Sequence, residues 1–190
     1  MNKVLGFTIL VLFFLISCRQ SEYNKLIKEE MSKNIIHDTI LLGHKFGQTK
    51  DEFFEICWQL NKKKIVKQGG KSNTVEYIIP KGASSPAIKM LFYGKFNEKD
   101  IMTGIEAEFS YPAWSLWNKN YHSDKLALAL KDTLKSWFPG NEFIVINGSK
   151  LKKEFFVKID GNRQIVIEPL TNTKDVKIRI EDLRFKDLGL

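Results

Sequence analysis

The chain has 190 residues, 43% of them hydrophobic and fourteen of them phenylalanine, which is ample for a packed interior and excludes wholesale disorder. Lysine and arginine outnumber aspartate and glutamate by 30 to 22, for a net charge of +8. Two cysteines, Cys18 and Cys57, exclude a disulfide-rich scaffold.

Met1-Asn2-Lys3 gives a positively charged start, the apolar run 4–16 follows, and Ser17-Cys18 closes it. A basic start, an apolar core of this length and a small residue before the cut form an export signal. A membrane helix needs about 20 apolar residues, and Arg19, Gln20 and Glu22 prevent this run from being extended. Residues 1–17 are therefore read as a signal peptide.

Leu15-Ile16-Ser17-Cys18 resembles the lipobox of bacterial lipoprotein signals, where Leu stands third before the cut and a small residue precedes the cysteine. The resemblance implies cleavage before Cys18, diacylglycerol on its thiol and acylation of the new amino terminus. Two or more acyl chains make a stable membrane anchor, whereas one does not. Ile16 departs from the Ala or Ser common in that family, and an ordinary secretory signal beside an unrelated cysteine is the alternative. Arg19 rather than Asp follows the cysteine, and no acidic cluster comes after it. The sorting pattern then implies an outer membrane, on its periplasmic side, in a two-membrane host.

Residues 18–34 carry mixed charge and read as a lipid-anchored tether, with a loose helix over 22–32 as the alternative. The sixteen residues 19–34, extended, reach about 50 Å. Residues 35–190 are expected to form a single α+β domain. Its first element is a strand at 39–42, followed by a turn at 43–47. Thr49-Lys50-Asp51-Glu52 has the capping-box form, Phe53, Ile56, Cys57 and Leu60 recur at helical spacing, and Gly69-Gly70 ends the element. Three strands are expected next, at 75–79, 88–96 and 101–111, the last alternating Ile105, Ala107 and Phe109 with Glu106, Glu108 and Ser110. A second helix starts at Ser123 or Asp124, with Ser123 suited to the N-cap. Leu126, Leu130, Leu134 and Trp137 form its stripe, and Pro139-Gly140 ends it. Four strands follow, at 142–146, 155–159, 164–169 and 176–183, with Asp160-Gly161-Asn162 as a hairpin turn.

Helix followed by antiparallel strands, twice, predicts an α+β fold of two halves, about 35–112 and 122–190, sharing one core. A tandem duplication would account for it. The element order resembles the beta-lactamase inhibitor protein family. In the first half, Phe46-Gly47-Gln48-Thr49-Lys50-Asp51-Glu52 resembles the glycine-then-helix start of the small outer-membrane lipoproteins of the barrel-assembly machinery. Both resemblances imply architecture alone, and no functional residue is carried over from them.

Chemistry-bearing groupings are sparse. His37, His44 and His122 do not converge at ligand spacing, so no metal and no cofactor are expected. The run Tyr121-His122-Ser123-Asp124 places adjacent residues that do not face one another, and glycine-loop or nucleophile-elbow motifs are not present. Glu106 and Glu108 share a strand face and read as a solvated stripe rather than an acid pair. Cys57 lies among Phe53, Ile56 and Leu60 and reads as buried. Export to the envelope argues against nucleic acid as the target of the surplus lysines. Lys62, Lys63, Lys64, Lys67 and Lys71, with Lys150, Lys152 and Lys153, suit solvated turns, with acidic partners or lipid head groups as alternatives.

The reading is a non-catalytic, lipid-anchored envelope protein that binds or assembles another protein. A carrier of a small apolar ligand, and an enzyme whose site is assembled from distant residues, are the alternatives. One stretch suits a partner site: Tyr111-Pro112-Ala113-Trp114-Ser115-Leu116-Trp117-Asn118-Lys119-Asn120-Tyr121. Pro112 must end the preceding strand, and exposed Trp and Tyr on a loop suit recognition. Against that, Trp114 and Trp117 could fold inward and cement the halves.

Overall fold

The computed structural model describes residues 22–71, 73–80, 86–148 and 153–186; the signal run and Cys18 lie outside them. The described residues hold three helices, α1 (Glu22–Ser32), α2 (Lys50–Lys62) and α3 (Ser123–Trp137). They also hold eight strands. These are β1 (Val66–Gln68), β2 (Val75–Ile79), β3 (Ile88–Phe96), β4 (Met102–Ser110), β5 (Ile144–Gly148), β6 (Lys153–Asp160), β7 (Arg163–Pro169) and β8 (Val176–Asp182). All eight form one antiparallel sheet in the order β1-β2-β3-β4-β8-β7-β6-β5, so the expected α+β class is what the chain adopts.

Period-two alternation decides the register. Ile105, Ala107 and Phe109 of β4 stand beside Ile180, Ile178 and Val176 of β8, so two clean alternations pair apolar to apolar. On that face Phe92, Phe109, Ile165 and Ile178 are almost wholly buried beneath α2 and α3. Leu126, Leu130 and Leu134 of α3 have no exposure, and Phe53 and Cys57 of α2 close the other end. Thr49 and Glu52 make the reciprocal capping box that the sequence predicts.

Four expectations are corrected. Residues 22–32 of the supposed tether are a packed helix, so the folded domain includes Glu22–Ser32 and does not wait until 35. Tyr23, Leu26, Ile27 and Met31 of α1 cover Val157, Ile159, Val166 and Leu183 on the sheet face opposite α2 and α3. A carboxylate, Glu30, interrupts that stripe, yet it is buried because it accepts the Gly161 amide at 3.1 Å and Lys33 Nζ at 2.5 Å. The strand expected at 39–42 is a tight turn held by one bridge, Thr39 to Lys45, with left-handed Leu42 and Gly43. The first half has four strands, not three, since Val66–Gln68 pairs with β2 once Lys64 has turned the chain in the left-handed region. His122, not Ser123, occupies the N-cap of α3, and the Ser123 hydroxyl donates to Asn172 O at 3.1 Å instead.

The β6–β7 turn is where separate segments meet. Gly161 has φ +53, and a Cβ there would lie 2.1 Å from Ile35 O, so only glycine fits. The neighbouring Asn162 accepts the His37 amide through Oδ1 at 2.6 Å and the Leu183 amide through its carbonyl at 2.7 Å. Lys158, with no exposure, reaches Asp160 at 2.8 Å and Asn141 O at 2.5 Å, and Arg163 lies over the Phe138 ring at 4.6 Å.

Candidate functional site

The 111–121 connection leaves β4 at the sheet end where the β7–β8 loop also emerges. Tyr111 is buried, and its ring sits 5.1 Å from that of Tyr121. Trp114 is half-buried; its indole Nε1 donates to Thr173 O at 3.1 Å and Lys174 Nζ lies 5.7 Å from its ring. The Ser123 amide donates to the same Thr173 carbonyl at 2.8 Å. Asn172 steadies that loop, with Oδ1 accepting the Lys174 and Asp175 amides. Between these ties the chain turns outward, and Leu116 is 64% and Trp117 91% exposed.

The four aromatic residues read as one patch therefore divide. Tyr111, Tyr121 and the inner side of Trp114 are packing, while Trp117 is presented to solvent. Leu116, which sequence reasoning passed over, joins it. Nothing in the spacing of a loop distinguishes inward from outward residues, because loops lack the period that marks a buried face.

A second surface lies on the sheet face opposite α2 and α3, over β1–β4 and β8, where no described helix packs. Glu76, Leu91, Glu108, Lys177 and Glu168 lie in one row across the strands, with Tyr93, Glu106 and Arg179 in the next. Ion pairs tie them: Lys177 to Glu106 at 2.5 Å, Arg179 to Glu168 at 2.9 Å, Lys71 to Glu108 at 2.6 Å and Lys95 to Glu181 at 2.6 Å. The Tyr93 hydroxyl donates to Glu106. Burial and that bond push the Tyr93 hydroxyl up to about 12. Burial raises the Glu106 carboxyl, but Lys177 and Tyr93 outweigh it and the net shift is downward. Glu106 is thus held as a carboxylate in a neutralised lattice, not poised as an acid.

His44 and Cys57 make the one Cys–His contact of the described residues, at 3.8 Å. Gln48 Oε1 accepts the Lys45 amide at 2.9 Å, so its Nε2 is the donor facing His44 Nδ1 at 3.0 Å. That leaves the Nε2 hydrogen of His44 pointing at sulfur. Burial lowers His44 to about 4 and raises Cys57 to about 11, the opposite of the ion pair a nucleophilic thiol needs. The pair fills space, with the His44 ring stacked 4.5 Å from Phe53. Unfolded histidine takes a proton near 6.5, folded His44 only near 4. Stability should therefore fall as pH drops through that window, by up to about 3 kcal/mol, and stay flat above it. His44→Phe should lose this part of the slope in denaturant titrations across the window; an unchanged slope would contradict the assignment.

Among the described residues no group of three or more His, Cys, Asp or Glu side chains is placed to hold a metal ion, and no helix is long and apolar enough to cross a membrane. A groove of about 380 Å³ between α3 and β6–β7 has apolar lining that includes buried Ala127 and half-buried Phe156, but it opens to solvent. No family model, curated protein or solved structure matches this chain.

Proposed function

We propose that the chain is a lipid-anchored protein of the bacterial cell envelope that holds another protein through the loop at 111–121, without catalysis. The observation that carries the binding role is Trp117, 91% exposed beside Leu116 on a loop whose base is tied on both sides. A tryptophan has only two side-chain torsions to fix on binding and is the residue type most often found as an interface anchor. The charged lattice on the open sheet face suits the polar surround of such an anchor. The signal run and Cys18 support the address: an acylated Cys18 anchors the chain on the outer membrane, facing the periplasm. Intact mass of protein purified from the envelope checks this; a chain beginning at Cys18 without acyl mass would refute it.

The loop is tested by photo-crosslinking from position 117 in intact cells, with exposed Leu128 as the control position. A discrete adduct from 117 alone is expected. Trp117→Ala should change stability by no more than about 0.5 kcal/mol while weakening capture of that adduct's partner by about 30-fold or more. Trp114→Ala, losing a half-buried ring and its bond to Thr173, should cost about 2 kcal/mol of stability. No adduct above the Leu128 control, or strong destabilisation by Trp117→Ala, would sink the reading.

The two units, α2 with β1–β4 and α3 with β5–β8, are further read as a tandem duplication. Each is a helix followed by four antiparallel strands, and the strand order is mirrored about the β4–β8 pair. Superposing one unit on the other is the check; core strands that fail to coincide would overturn it.

A further inference from the structure

α2 is apolar on two sides. Phe53 and Cys57 face the core, whereas Phe54 and Trp58 are 50% and 51% exposed. A helix with a second apolar side has a second surface to cover. Beside Phe54 and Trp58 runs a groove of about 210 Å³ between α2 and β1–β2, floored by Cys57, Val66 and Val75. The C-terminal end of this face is basic. Lys62 Nζ lies 3.1 Å over the Trp58 ring, and Lys63 and Lys64 follow it in exposed positions. Lys67 is neutralised by Glu76 at 3.0 Å, but Lys62, Lys63 and Lys64 have no acidic partner within ion-pair distance among the described residues. Glu55, in the middle of the helix and two turns before Lys62, accepts from Gln59 at 2.8 Å.

We propose that this face is a membrane contact: Phe54 and Trp58 enter the interfacial layer of an anionic bilayer while Lys62, Lys63 and Lys64 lie on its head groups. Tryptophan favours that layer because its ring is apolar and its N–H stays hydrated. Lysine stems lie along apolar surface and keep the ammonium in the head-group region, where anionic lipid attracts it. Charge complementarity selects the occupant, since three uncompensated cations beside bare aromatics suit anionic lipid. The setting rests on the envelope reading above, but the test does not need the acyl chains of Cys18.

The test is tryptophan quenching on vesicles whose phospholipids carry bromine in their acyl chains, using full-length protein purified from its host and its Trp58→Phe variant. In phosphatidylcholine with a minority of phosphatidylglycerol, the difference between the two proteins reports Trp58 alone, and most of the Trp58 signal should be quenched. The difference should vanish in phosphatidylcholine alone. It should also vanish when Lys62, Lys63 and Lys64 are all changed to Gln, a loss of about a hundredfold in local partitioning. No Trp58-dependent quenching with phosphatidylglycerol present would overturn the proposal, as would equal quenching on neutral vesicles. Trp58 shielded from aqueous acrylamide but untouched by brominated lipid would mean a protein occupant and would overturn it too. Intact mass of the same sample separates the two readings. An acylated chain without the Trp58 signal keeps the anchor and loses this contact; a chain without acyl mass that shows the signal does the reverse.

Discussion

Removing residues 22–34 is expected to cost the domain most or all of its cooperative stability. The loss takes away Ile27, 1% exposed, together with Tyr23, Leu26 and Met31, and bares Val157, Ile159, Val166 and Leu183 on the sheet beneath. At about 1.5–3 kcal/mol for each large apolar side chain returned to water, the sum reaches the whole stability of an ordinary domain. Polar ties go as well. Glu30 no longer accepts the Gly161 amide, and the 2.5 Å bond from the Tyr23 hydroxyl to Gln164 is lost. Denaturant unfolding of the shortened chain checks this, and a midpoint near that of the full chain would show that α1 only rests on the surface. Ile27→Ala gives the finer measurement, with an expected cost of about 2–5 kcal/mol for a cavity at the centre of the contact.

Asp160→Ala is expected to cost about 3–5 kcal/mol. Asp160 is buried between Lys158 at 2.8 Å and Arg163 at 3.5 Å, and its Oδ1 also accepts the Asn141 amide at 2.7 Å. Without that carboxylate, two buried cations face each other with nothing between them. Burial already lowers the Arg163 guanidinium, and Asp160 is what opposes that shift. The cost should appear as a lower denaturant midpoint with an unchanged slope. Changing both partners, Lys158→Met with Asp160→Leu, should recover a good part of it, because the desolvation of the pair is removed together with its attraction. A loss below about 1 kcal/mol from Asp160→Ala would mean that water reaches the cluster.

Both effects come from places where a charge sits inside an apolar frame, and these are where the sequence reads poorly. The α1 stripe Tyr23, Leu26, Ile27 and Met31 has helical spacing, but Glu30 falls on it and three lysines surround it. A carboxylate in that position signals a solvated helix unless its hydrogen-bond partners are known. Those partners, Gly161 and Lys33, include one 131 residues away in the chain. Lys158 reads poorly for the same reason: it shares a face of β6 with Phe156, yet a lysine there signals a solvated position.

Elsewhere periodicity was enough. Strands β2, β3, β4, β7 and β8, helix α3 and the start of α2 lie within a few residues of where alternation and capping residues place them, because their buried faces repeat every two or 3.6 residues regardless of the partner; α2 itself ends at Lys62, well before the expected stop at Gly69-Gly70. The class, α+β with two helix-led groups of antiparallel strands, follows from that order alone. The proposed export signal at residues 1–17 is likewise read from local sequence alone, from length, charge and one cysteine. The single continuous sheet joined through β4 and β8, the covering of the β6–β7 part of one sheet face by α1, the short strand β1, and the choice of Trp117 rather than Trp114 as the exposed ring were decided in three dimensions. Each depends on which distant groups satisfy a buried charge, an unpaired strand edge or a loop carbonyl, and a one-dimensional pattern carries no record of those distances.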